Sequence, residues 1–234
     1  MINSEIKREA RLSLSSNWGK AVGATLVALF LQTFIIYIYE FLLVGVLDVS
    51  ETIFSIAHPL FTLVHTIVIV PLTFGVAWFY LQLVRKEETK VSHMFQTYKS
   101  GKLAVDSFML QFLTGLLTML WTLLLIIPGI IKSIAYSQTV YVYRDNPHIN
   151  YSDAITESRR LMDGHKWDFV VLHLSFIGWF ILSIFTLGIG MLWIMPYMQA
   201  SKAAFYEELK REKGEFTINS PKIKSIEVNT TESI

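Results

Sequence analysis

A chain of 234 residues that is 53% hydrophobic, 14% aromatic and only 17% charged, with a mean hydropathy of +0.45, carries more apolar surface than a soluble domain of its size can bury. Its net charge of +1 hides an uneven spread of basic residues, which in such a chain reports orientation rather than a nucleic-acid partner. The absence of cysteine excludes disulfides and thiolate chemistry.

The chain opens on an amphipathic segment. Asn3 or Ser4 can cap a helix through Leu14, with Ile6, Ala10 and Leu14 on one face and Lys7, Arg8 and Arg11 elsewhere, a pattern expected to lie on a membrane surface. The first apolar run starts too late and runs too long for a secretory signal, so it reads as a retained helix. Six spans follow, at about 21–47, 59–84, 107–127, 130–145, 168–187 and 191–209, and most have the roughly 17–25 residues a helix needs to cross a bilayer. Pro71, Pro128, Gly129 and Pro196 are expected to break helices. His58 and His65, seven apart, could share a helix face near the outer surface, and Glu40, near the outer end of its own span, is the only plausible third metal ligand. Two separately satisfied polar residues explain them better than a metal site does.

The fourth span is unusual. Pro128 and Gly129 let the chain reverse, which leaves 130–143 only about 21 Å long against a hydrocarbon core of about 30 Å. It must therefore extend to 145, stand nearly upright, thin the bilayer or be re-entrant. On a helix, Lys132, Tyr136, Thr139 and Tyr143 fall on one stripe with Ser133 and Ser137 beside it. Lipid cannot solvate such a stripe, so it should face the bundle interior or a water-filled cavity. Lys132 is then either a ligand-binding charge at the mouth of that cavity or a lysine snorkelling to outer headgroups. Beyond it, Asn150 or Ser152 can cap a second amphipathic helix, with Ala154, Ile155, Leu161 and Met162 apolar and Gly164 as its stop. Arg159, Arg160 and Lys166 could meet lipid headgroups, or Arg160 and Arg159 could pair with Glu157 as part of a solvated face. Residues 214–234 read as a flexible cytoplasmic tail after a single membrane domain over 1–213.

Of the 20 lysines and arginines, every one except Lys132 falls at or beyond the same ends of these spans, which puts both termini in the cytoplasm. The stretches "LSSNWGKAVGATLVALF", "QTYKSGKLAVDSFMLQF" and "LMDGHKWDFVVLHLSF" each enter a span through a glycine and a lysine. They suggest three helical hairpins with interfacial leads, although glycine turns and snorkelling lysines can flank any cytoplasmic helix end. Small-residue pairs (Gly19 with Gly23, Ser175 with Gly178, Ala200 with Ala204) suggest tight helix contacts. The chain has no H-E-x-x-H, G-x-S-x-G, Walker or Rossmann signature, so no catalytic residue and no cofactor is expected.

At "LLLIIPGIIKSIAYSQTVYVYRDNP", "AITESRRLMDGHKWDFVVLHLSFIGW" and "GIGMLWIMPYMQASKAAFYEEL" the chain strongly resembles the bacterial integral-membrane family known as domain of unknown function 975, over roughly residues 5–210. By that likeness the motif residues are Asn17, Trp18, Pro128, Gly129, Lys132, Tyr136, Ser158, Arg159, Met162, Gly164, Lys166, Gly178, Trp179, Pro196, Tyr197, Phe205 and Tyr206. That family is similar, more distantly, to multi-span domains fused to glycerophosphodiester phosphodiesterases, but this chain has neither the phosphodiesterase domain nor its carboxylate cluster. The resemblance implies a helical fold, a plasma membrane and a Gram-positive host, and hardly any reaction. The expectation is an all-α, non-enzymatic membrane bundle that binds lipid or peptide in a polar cavity, in a transport-related or envelope-stress role. The alternatives are a partner subunit of a membrane complex and, less favoured, a lipid-modifying enzyme.

Overall fold

The computed structural model describes residues 3–218. Ten α-helices succeed one another: α1 (Asn3–Ser15), α2 (Trp18–Glu40), α3 (Glu51–Val84), α4 (Gly101–Leu124), α5 (Ile126–Tyr136), α6 (Thr139–Asp145), α7 (Tyr151–Leu161), α8 (Lys166–Leu174), α9 (Ile177–Phe185) and α10 (Met191–Ile218). A π-helical stretch, Phe41–Val46, extends α2, and a 3-10 helix, Val91–Lys99, links α3 to α4. No strand occurs among the described residues. Among the described residues, four helical stretches are long and apolar enough to cross a membrane: Trp18–Val46, Glu51–Val84, Gly101–Leu124 and Lys166–Phe185. The expected spans at 130–145 and 191–209 are not among these four. The first is divided between α5 and α6, and the second lies in α10, whose charged residues begin at Lys202.

Burial is polarised. In α3 every buried residue lies between Ile69 and Val84, and none precedes Ile69. That C-terminal half packs with α1, α6, α10 and the 3-10 helix around fully buried Phe79, Tyr80, Met94, Phe205 and Tyr206. Large apolar side chains stay exposed on α2 with its π-helical extension and the N-terminal half of α3 (Phe34, Phe41, Ile56, Leu60), at the α4–α5 junction (Leu123 to Ile127) and at the α9–α10 junction (Phe185, Leu187).

The two amphipathic segments fold as their patterns dictate but bury their apolar faces in protein rather than on a surface. Ile6, Ala10 and Leu14 are the buried face of α1, which lies along α10. Tyr197 of α10 donates to the Lys7 carbonyl at 3.3 Å. Ala154, Ile155 and Leu161 are buried in α7, with Met162 just after it, and Gly164 ends the segment at φ +86°, a left-handed conformation that glycine adopts without strain.

None of the expected helix breaks ends a helix. Pro71 and Pro196 sit inside α3 and α10. The Pro71 ring leaves the Ile67 carbonyl without its ladder donor, and two hydroxyls from the 3-10 helix bind neighbouring carbonyls: Thr97 donates to that of Pro71 at 2.8 Å and Tyr98 to that of Val68. The reversal after α4 occurs at Leu125, in extended conformation. Pro128 lies in the first turn of α5, where a missing N–H costs nothing. Gly129 is a contact rather than a break: a Cβ there would fall 2.1 Å from the Thr122 hydroxyl oxygen, so its bare backbone lets α5 run close against α4. Of the expected tail, residues 214–218 belong to α10; the rest of it, 219–234, lies outside the described residues.

Candidate functional site: a hydroxyl-lined cavity with a lysine recess

The polar stripe of the expected fourth span is real in composition but divided in space. The helix is interrupted at Ser137 and Gln138, and Ser158 of α7 fills the gap: its hydroxyl donates to the Ala135 carbonyl at 2.8 Å and accepts the Gln138 N–H at 3.2 Å. A side chain thus stands in for backbone partners where α5 gives way to α6.

Ser133, Tyr136, Ser137 and Thr139 line a cavity of about 630 Å³ between α4 and α5–α6. The opposite wall is α4, where Thr114, Thr118 and Thr122 recur every four residues and so share a face. These threonines donate to the carbonyls of Leu110, Thr114 and Thr118 at 2.8, 2.7 and 2.8 Å. Ser133 and Thr139 likewise donate to the carbonyls of Ile130 and Tyr136, at 2.8 and 2.7 Å. With their protons turned back onto the helices, these hydroxyls can offer a ligand only oxygen lone pairs. The cavity therefore suits a group bearing O–H or N–H donors, while Leu110, Met119 and Leu123 leave room for an apolar chain.

Phe74, Gln111, Ser137 and Val140 also line an adjoining recess of about 200 Å³ that contains Gln138, Gln199 and Lys202. Among the described residues no carboxylate pairs with the Lys202 ammonium, and the Gln138 Oε1 is buried without a hydrogen-bond partner.

The remaining members of the stripe lie elsewhere. Tyr143 is fully buried in α6 and donates to the Asp106 carboxylate at 2.5 Å, which also accepts from Tyr151 at 2.7 Å. Lys132 points away from the hydroxyl cavity. It lines a separate cavity of about 440 Å³ with Arg159, Arg160 and Lys166, and its ammonium lies over the Trp121 ring, 4.6 Å from the centroid. There the charges are only partly compensated. Arg160 makes a bidentate pair with Glu157 at 2.6 and 2.7 Å, which holds the Glu157 carboxyl below its ordinary range, and Lys166 meets Asp163 at 3.2 Å. Neither Lys132 nor Arg159 has a carboxylate partner among the described residues. The residues expected at a cavity mouth and those expected at a headgroup surface thus meet in one basic pocket.

Sequence reasoning missed Lys202, Gln138, Asp106 and the α4 threonines. The threonine repeat is the one signal that could have found the cavity's second wall. His58 and His65 stack beside Phe54 and Phe61, and no three His, Asp or Glu side chains converge on a metal site among the described residues.

The family model described as Protein of unknown function (DUF975) matches residues 1–131 and 122–213. The chain belongs to that family. No curated protein and no solved structure matches it. Several residues that the resemblance marks gather at the α5–α7–α8 junction. Ser158 bridges the helix interruption, Gly164 takes the left-handed turn, Tyr136 lines the hydroxyl cavity, and Lys132, Arg159 and Lys166 line the basic pocket.

Proposed function

We propose that this is a non-enzymatic, multi-pass protein of the bacterial plasma membrane that binds an amphiphilic lipid or peptide in the cavity between α4 and α5–α6, in a transport-related or envelope-stress role. The observation that carries this reading is the cavity itself, walled by hydroxyl acceptors from two helices whose outer surfaces are apolar and exposed. Exposed Phe34, Phe41, Leu123, Ile127 and Phe185 would each lose about 1.5–3 kcal/mol of burial in water, so such a surface calls for lipid.

In this reading the chain forms three membrane hairpins, α2–α3, α4 with α5–α6, and α8–α9 with α10, and both termini are cytoplasmic. The basic-residue bias supports that orientation, since the lysines and arginines other than Lys132 lie at or beyond the same ends of these spans.

The natural lack of cysteine supplies the test. In the full chain reconstituted in nanodiscs, Ser133→Cys and Ser137→Cys should each react with a water-soluble maleimide, and an added ligand should slow the reaction. Protection of both positions in ligand-free protein, while an exposed Ser152→Cys control reacts, would sink the cavity reading. A second reading, a partner subunit, is favoured by the exposed glycines Gly19 and Gly178, at which an added Cβ would meet nothing within 4 Å. It predicts a second membrane protein co-purifying at fixed stoichiometry.

A further inference from the structure

We infer that the recess beside the hydroxyl cavity is an anionic headgroup site: Lys202 pairs with a phosphate, and Gln138 accepts a hydrogen bond from a hydroxyl on the same headgroup. This rests on the proposed membrane reading and adds the identity of the polar group.

Three observations converge. Lys202 projects from α10 into a recess walled by Gln111, Gln138 and Gln199, and no carboxylate answers it among the described residues, although the nearby inner-end arginine, Arg85, is answered twice. A semi-enclosed ammonium without a counter-charge is uncompensated until an anion supplies one. The Gln138 Oε1 is an independent sign. The residue is 1% exposed, its Nε2 donates to Ser137 at 2.9 Å, and its oxygen has no donor. A buried acceptor of this kind awaits an O–H or N–H. An ammonium donor and an amide acceptor in one recess match a phosphate that carries its own hydroxyl, either the acid form of a phosphomonoester or a phosphoglycerol. A bare carboxylate satisfies only the lysine. Finally, Phe74, Gln111, Ser137 and Val140 line both the recess and the larger cavity, so the two adjoin, and an attached chain would lie against Leu110, Met119 and Leu123. Lipid phosphate and free phosphate share this chemistry, and the larger, partly apolar cavity alongside favours the lipid.

The experiment uses the full chain in nanodiscs of phosphatidylcholine alone or with one tenth phosphatidylglycerol or phosphatidic acid, and in detergent with millimolar inorganic phosphate, reading thermal stability and lipid retention by native mass spectrometry. Wild-type protein should be stabilised by several degrees by at least one of the two anionic lipids and should retain it. Lys202→Met should lose that increment and weaken retention at least tenfold, yet melt no lower than wild type in phosphatidylcholine, because it removes an uncompensated charge. Lys202→Arg should restore part of the increment, and Gln138→Leu should reduce it.

An increment unchanged in Lys202→Met, or one lost in Arg159→Gln instead, overturns the assignment. Full stabilisation by inorganic phosphate alone overturns the lipid as its source. The cysteine test above separates the two readings. If Ser137→Cys reacts with maleimide but no Lys202-dependent preference exists, the headgroup site fails while the cavity stands.

Discussion

Ser158 illustrates how one hydroxyl can set the course of two helices. It satisfies both the Ala135 carbonyl and the Gln138 N–H where α5 gives way to α6, and it is fully buried. Ser158→Ala should therefore cost about 1–3 kcal/mol, the penalty for leaving buried backbone groups unpaired, and should lower the melting temperature in detergent. Ser152→Ala, on the exposed face of the same helix, should change little. Sequence reading singled out Ser158 only through a family resemblance, because a serine in "AITESRRL" carries no sign of what it faces. The same limit applies to Lys202 and Lys132. Their charges are legible, but their neighbours are set by helix packing, and packing decided that Lys202 sits in a recess and Lys132 among arginines.

Among the elements, amphipathic helices were legible and proline positions misleading. The buried faces of α1 and α7 are the ones that i, i+4 spacing dictates, since periodicity states directly which side chains share a face. What those faces pack against is a tertiary property. Prolines mark lost hydrogen bonds, yet a helix need not end there: α3 continues through Pro71, where Thr97 and Tyr98 tie the 3-10 helix to the neighbouring carbonyls. The tight contact at Gly75 was equally hidden: a Cβ there would approach the Met94 carbonyl to 1.8 Å. The helices are held together at their inner ends by Arg85, which donates to Asp145 at 2.8 Å through both terminal nitrogens and to Glu207 at 2.7 and 2.9 Å, joining α3, α6 and α10. Lys210 and Tyr206 complete the shell of Asp145 at 2.6 and 3.0 Å. The Arg85 and Asp145 side chains are only 23% and 14% exposed, so Arg85→Met, which takes the arginine from Glu207 and leaves Asp145 to Lys210 and Tyr206 alone, should destabilise by about 3 kcal/mol. Asp145→Asn should cost less in the Arg85→Met background than in wild type. Equal costs in the two backgrounds would mean that the groups do not act as a unit.

At the scale of the molecule, the division between a packed inner end and exposed apolar outer ends follows from composition, but the side on which each charge lies does not. Counting along the chain puts Lys132 just past a reversal and hence opposite the other basic residues. In three dimensions the reversal is at Leu125, and Lys132 shares a cavity with Arg159, Arg160 and Lys166. The two placements make opposite predictions. Single cysteines at Lys132 and Arg159, tested in sealed vesicles of known orientation with a membrane-impermeant maleimide, should react from the same side, and that side should be the one from which Ser152→Cys reacts. Reaction of Lys132→Cys from the opposite face would separate the basic pocket and restore a fully crossing fourth span with an outward lysine. Same-side reaction would mean that α5–α6 does not fully cross, and would make the pocket around Arg159 a feature of that one membrane face.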